Sequence, residues 1–150
     1  MTDLDAVMKK SLAHASTHSR KVYGQNPLTA EEVLDLANSG ALITATTIRP
    51  EGKPHLSPVD LVAVNGILYV GVDMTTARYK NLAQNPAITI MIAEGWKRQA
   101  IMEGVVHFLD IESETSGKVQ EAQKRKYGWT TEAIAEFAPV KVFTWKAKST

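Results

Sequence analysis

Cysteine is absent from all 150 residues. That removes disulfides, thiolate metal sites, iron–sulfur clusters and a cysteine nucleophile from consideration. Excess charge is lacking too: 17 Lys and Arg against 16 Asp and Glu leave +1, too little for a protein that holds nucleic acid through a strong overall field. No apolar run approaches the roughly 18 residues of a membrane helix. Thr2, Asp3 and Asp5 give the N-terminus neither the basic start nor the apolar centre of a signal peptide. The expectation is a cytoplasmic protein with neither a membrane nor a nucleic-acid partner. Glycine and proline are few, 9 and 6, which excludes collagenous and low-complexity classes, and the length suits a single domain over residues 1–150. A P-loop, a dinucleotide fingerprint and a nucleophile elbow are missing as well.

What is present begins with helical spacing. Leu4, Val7, Met8, Leu12 and Ala15 predict a first helix, with Thr2 as cap and Asp5 completing a capping box. His14 and His18, four apart on it, are a candidate metal pair that no carboxylate cluster supports, so no metal site is expected. Thr29 and Glu32 form a stronger Thr-x-x-Glu box, with Leu28 and Val33 as its hydrophobic staple and Asn38-Ser39-Gly40 as the stop, predicting a helix over 29–38. Together these make an N-terminal helical part over residues 1–39.

From Gly40 the period becomes two. Strands are predicted over 41–48, 55–64, 67–72, 87–93, 99–109 and 140–145. A turn at Arg49-Pro50-Glu51-Gly52 and a two-residue hairpin at Asn65-Gly66 join the first three. Residues 74–84 read as a short helix ended by Asn85-Pro86. A longer helix follows Glu112 and Glu114 and ends in Lys124, Arg125 and Lys126, charges that suit its macrodipole. A short helical piece is expected over 131–137. Six antiparallel strands with short turns and flanking helices predict an α+β protein built on a small six-stranded barrel, its core at 40–109 and its C-terminal helices and last strand at 110–146.

Two stretches carry candidate chemistry. In Thr75-Thr76-Ala77-Arg78-Tyr79-Lys80-Asn81-Leu82, hydroxyls and free amides open a helix and two cations follow, an arrangement that suits a phosphate and reads equally as a capped, solvated surface helix. In His55-Leu56-Ser57-Pro58-Val59, Pro58 cannot donate to a ladder. It marks either a protected edge strand or a strand whose free side faces a ligand. Trp96, Trp129 and Trp145 read as packing residues, Trp96 also as a wall for an aromatic ligand. No catalytic acid or base stands out.

Gly52-Lys53-Pro54-His55 with Ser57-Pro58-Val59, then Gly66-Ile67-Leu68-Tyr69-Val70, Lys80-Asn81-Leu82-Ala83-Gln84-Asn85-Pro86 and Glu103-Gly104 resemble, in order and spacing, the pyridoxamine 5′-phosphate oxidase-like FMN-binding split barrels. The resemblance covers about residues 40–109. It implies a split-barrel homodimer with FMN at the interface and hydride transfer through the flavin to a small organic substrate, with NAD(P)H as a possible donor. It implies that Thr75, Thr76, Arg78, Lys80 and Asn81 surround the phosphate and that His55, Ser57, Pro58 and Val59 run beside the ring. Gln99 would reach the flavin and Trp96 would cover it from the partner chain. The chain departs from the true oxidases in two places. Their C-terminal Arg-x-His is absent, and His55 or Leu56 stands near the position of a phosphate-binding arginine. Relatives that bind coenzyme F-420 or haem keep two alternatives open, a deazaflavin-dependent reductase and a non-enzymatic flavin- or haem-binding protein. For the longer deazaflavin tail, Lys97 and Arg98 are the added cations; for haem, His55 and His107 are the candidate ligands.

Overall fold

Three helices precede the sheet in the computed structural model, which describes residues 3–148. Helix α1 (Leu4–Ala13) is capped by Asp3, whose carboxylate accepts from the Ala6 N–H; Thr2, the expected cap, lies outside the described residues. Helix α2 (Thr17–Tyr23) is separate and capped by Ser16. His14 caps the end of α1 while His18 lies in α2, so the two histidines do not share a helix. None of the α2 residues is buried, and a helix without an apolar stripe leaves no periodic signal. Helix α3 (Ala30–Asn38) carries both halves of the expected capping box, and Leu28 and Val33 are buried beneath it.

The strands are β1 (Leu42–Ile48), β2 (Pro54–Pro58), β3 (Asp60–Val64), β4 (Ile67–Val72), β5 (Ala87–Glu94), β6 (Arg98–Phe108) and β7 (Ala133–Lys146). Helix α4 (Ala77–Gln84) follows β4 and α5 (Glu114–Tyr127) precedes β7. The sheet is antiparallel throughout in the order β2-β1-β5-β6-β7-β4-β3, curled into a half-barrel whose two edge strands are consecutive in the chain. It has seven strands, not the six expected, because the single run predicted at 55–64 changes partner midway. Its first half pairs with β1 and its second half with β4.

The reason lies in ladder parity. Arg49 donates to Lys53 and Val59 donates to Ile43, so the hydrogen-bonded pairs of the β1–β2 ladder fall at odd positions of β2, including His55 and Ser57. On β3 the tight hairpin makes Val64 and Ile67 a bonded pair, so the even positions Asp60, Val62 and Val64 face β4. One extended chain thus offers odd positions to β1 and even ones to β4, and it passes from one end of the curled sheet to the other at Val59.

The Asn65-Gly66 hairpin forms as expected, with φ of 51° and 80°. The helical piece expected at 131–137 is instead the start of β7, where Ala133 to Phe137 pair with β4 and Ala135 to Phe137 also pair with β6. This fourteen-residue strand is bent by a register shift at Glu103/Gly104. Gly104 is required there, since an added Cβ would lie 2.2 Å from the Ala138 carbonyl oxygen. Alternate residues, such as Ile43, Ala45, Ile88, Ile90 and Ile92, fill the interior. The opposite set, including Leu42, Thr44, Thr46, Met91 and Ala93, stays partly exposed.

Candidate functional site at the split in the barrel

The passage from β2 to β3 leaves two unpaired strand edges. On β2 the outward backbone groups belong to Pro54, Leu56 and Pro58, so two of three positions have no N–H and Leu56 supplies the one outward donor. Helix α4 opens beside this edge. Thr76 caps it, accepting from the Tyr79 N–H at 3.1 Å and donating to the Asp73 carbonyl at 2.7 Å. Residue 78 falls in the first turn, and its side chain reaches β2, donating from Nη1 to Ser57 Oγ at 2.7 Å and to the Pro58 carbonyl at 2.9 Å. Thr75 and Lys80 are exposed on the same turn and a half.

The electrostatics of Arg78 are unusual. The side chain is partly buried, and burial pulls its pKa below the ordinary guanidinium value, with Asp60 and Asp73 drawing it back. Both of its direct acceptors are neutral oxygens, and none of the ion pairs among the described residues includes it. Its Nε is buried without a partner, and so is His55 Nδ1; these are the two such side-chain atoms among the described residues. A desolvated cation with a spare donor and no contacting carboxylate is poised for an anion, since charge-assisted bonds to phosphate or carboxylate are the strongest it can make.

Three carboxylates near this helix start are engaged elsewhere. Asp73 accepts from the Glu132 N–H at 3.1 Å, and Glu132 accepts from the Met74 N–H at 3.0 Å. These bonds tie the loop after α5 to the turn before α4. Asp60 accepts from Trp129 Nε1 at 2.7 Å.

The expected site residues therefore divide. His55, Ser57, Pro58, Thr75, Thr76, Arg78 and Lys80 lie on β2 and on the start of α4 at the split, whereas Val59 is 6% exposed and packs in the core. Asn81 is only 3% exposed and its amide donates to Thr47 Oγ1 at 3.0 Å, which anchors α4 on β1. Trp96, 82% exposed, sits on the β5–β6 turn, and Gln99 at its base donates to the Gly95 carbonyl. Three strand spacings, about 14 Å, separate β6 from β2 within one chain. Arg98 is held by Glu94 at 2.9 Å and faces Asp35 at 3.6 Å, leaving Lys97 as the uncommitted cation of that turn. Sequence reasoning missed Asp60 and Trp129. A lone tryptophan after a helix-ending glycine carries no periodic signal.

The second edge, on β3, is sealed. Leu61 donates to the Tyr127 hydroxyl at 3.0 Å and its carbonyl accepts from Lys126 Nζ at 2.8 Å; the Asn38 amide accepts from the Ala63 N–H and donates to the Ala63 carbonyl. Lys126 also donates to the Ala37 carbonyl. Burial pushes its amine down to about 8.

Among the described residues, no three His, Asp or Glu side chains gather as a metal site, and no helix is long and apolar enough to cross a membrane. A family model for pyridoxamine 5′-phosphate oxidase matches residues 29–149. A comparison with curated protein sequences found no match. Among solved structures, the chain is similar to the conserved hypothetical protein Rv2991 of Mycobacterium tuberculosis (17% identity, 86% of this chain and 96% of that one, TM-score 0.68). It is also similar to an F420 reductase (18% identity, 72% and 93%, TM-score 0.58). A third is HutZ, the haem storage protein of Vibrio cholerae (15% identity, 77% and 92%, TM-score 0.63). At these identities the likeness is one of fold.

Proposed function

The chain belongs to the pyridoxamine 5′-phosphate oxidase family, and from that premise we propose that it is a cytoplasmic, homodimeric, FMN-dependent oxidoreductase acting on a small organic substrate. The observation that carries this reading is Arg78, a partly buried guanidinium with a free Nε and no carboxylate in contact. FMN, when bound, supplies the hydride chemistry. The chain's own residues supply the holding. Arg78, Lys80 and the Thr75 hydroxyl suit the phosphate, while the Thr76 hydroxyl, bonded to the Asp73 carbonyl and the Tyr79 N–H, holds the helix start beside it. The outward N–H and C=O of Leu56 offer a donor and an acceptor to the edge of a flat heterocycle. His55, Ser57 and Pro58 lie on the same strand, with Val59 running into the core just beyond them, and His55 Nδ1 is a buried, unused polar atom there.

The exposed outer face of the sheet supports a dimer. Leu42 and Leu56 are 64% and 67% exposed, apolar surface that a second copy of the chain would cover. In a dimer, Trp96 and Gln99 belong to the partner's half of each site. Pyridoxamine phosphate itself is not the proposed substrate, because the last strand ends in Trp145-Lys146 without the Arg-x-His of the oxidases.

FMN is favoured over the deazaflavin coenzyme F-420 because Arg98, one of two cations available for a longer anionic tail, is already paired with Glu94. For a haem-binding protein one candidate ligand remains at the split, His55, because His107 is exposed on β6. The visible spectrum of the purified protein, before and after incubation with FMN, tests the proposal. A flavin spectrum that persists through gel filtration and is bleached by NADH or NADPH is expected. A protein that neither carries nor takes up FMN would overturn it.

A further inference from the structure

Trp129 is more than half exposed, yet it is held at two points. Its Nε1 donates to Asp60 Oδ2 at 2.7 Å, and its ring stacks on Tyr127 with centroids 5.5 Å apart and an interplanar angle of 15°. Tyr127 is itself fixed by Leu61, whose N–H it accepts and whose carbonyl it donates to at 3.2 Å. A solvent-facing tryptophan loses hydrophobic stabilisation by its exposure, and immobilising it adds an entropic cost. Sealing the β3 edge needs only Tyr127, Lys126 and Asn38, so the indole is surplus to that task.

Its position supplies a use. Asp60 begins β3, two residues beyond the Pro58 carbonyl that Arg78 grips, and its charge acts on Arg78. The loop that carries Trp129 is bound to the turn before α4 through Asp73, Met74 and Glu132. The indole is thus tied to the two segments that flank Arg78, the start of β3 through Asp60 and the turn before α4 through its loop, with more than half of its surface exposed. An anion held by Arg78 with a flat ring attached would find there a rigid aromatic surface, and offset stacking between π systems is favourable beyond area burial.

We infer that Trp129 is a stacking platform for the planar ring of the ligand whose phosphate Arg78 holds, and that Asp60 is the positioning residue that sets its angle. The inference rests on the functional reading given above and adds to it a specificity determinant for aromatic ligands over other phosphates. Isothermal titration of the full-length wild type, Trp129→Ala and Trp129→Phe with FMN and with ring-free ribose 5-phosphate tests it. Trp129→Ala should bind FMN roughly tenfold more weakly, the scale of a lost stacking contact. Trp129→Phe should stay within about threefold of wild type, because a ring is kept. Ribose 5-phosphate should bind all three proteins alike. Equal FMN affinity in wild type and Trp129→Ala overturns the inference and leaves the flavin reading standing. An equal loss for FMN and ribose 5-phosphate overturns it as well, because the effect would then lie in the fold or the phosphate pocket. Failure of the wild type to bind FMN overturns both.

Discussion

The two edges at the split differ in how their backbone groups are satisfied. The β3 edge is closed by side chains: Leu61 and Ala63 have both N–H and C=O bonded to Tyr127, Lys126 or Asn38. The β2 edge is thinned by Pro54 and Pro58, gripped at one carbonyl by Arg78, and left with one donor–acceptor pair at Leu56. An unpaired edge invites other strands, and proteins usually bury, charge or cap it. Here one edge is capped by the protein itself, and the other has the features of a surface kept for a small ligand. The difference separates groups that hold the fold from groups that await a partner, although the two edges are joined at Val59.

Damage to the sealed edge should cost stability. Lys126→Met leaves the buried Ala37 carbonyl without its donor and the Leu61 carbonyl with the Tyr127 hydroxyl alone, and a buried, unsatisfied group costs about 1–3 kcal/mol. A loss of about 2 kcal/mol is expected, measured as a fall in Tm of roughly 4–8 °C for a chain of this size. Asn38→Ala frees the Ala63 pair where water can replace it, and denaturant unfolding should show a loss of about 1 kcal/mol.

Damage to the open edge should cost binding. Leu56→Pro removes the outward N–H without touching the β1 ladder, because Leu56 and Thr46 are a non-bonded pair. Stability should hold within about 1 kcal/mol, and FMN affinity should fall about fivefold, the worth of one hydrogen bond. An unfolded variant would refute the odd-position pairing of β2 with β1.

The smallest effect is a pH dependence. The Lys126 amine sits at about 8 in the folded protein against an ordinary 10.5. Above pH 8 the unfolded chain binds a proton that the folded one has released, so this group's contribution to stability rises with pH across that window. Below pH 8 both states are protonated and the contribution is flat. Thermal unfolding at about pH 7.5 and about pH 9.5 should show a gain for wild type relative to Lys126→Met, with Tyr127, raised by its own burial, still un-ionised.

Much of this architecture was legible because it is local. The Thr29–Glu32 box, the Asn65-Gly66 hairpin and the stop at Asn85-Pro86 each depend on neighbours a few residues away, and each formed as expected. The partner change at Val59 was not legible, because the odd and even sides of one extended run look alike until distant strands claim them. The same holds for residues 133–137, which pairing with β4 and β6 draws into a strand. At the site, Arg78 announced itself by residue type at a helix start, whereas Asn81 is identical in sequence terms whether it faces a ligand or, as found, Thr47. Trp129 was invisible as anything but packing, since its significance comes from Asp60, 69 residues away.

On the flavin reading, Arg78 is a cation held without a counter-ion for the phosphate of FMN. Titrating wild type and Arg78→Ala with FMN and with riboflavin, which lacks the phosphate, addresses it directly. Roughly thirtyfold weaker FMN binding is expected in the variant, the worth of a bond to a charged group, with riboflavin affinity unchanged. Equal affinity of both proteins for FMN would contradict it.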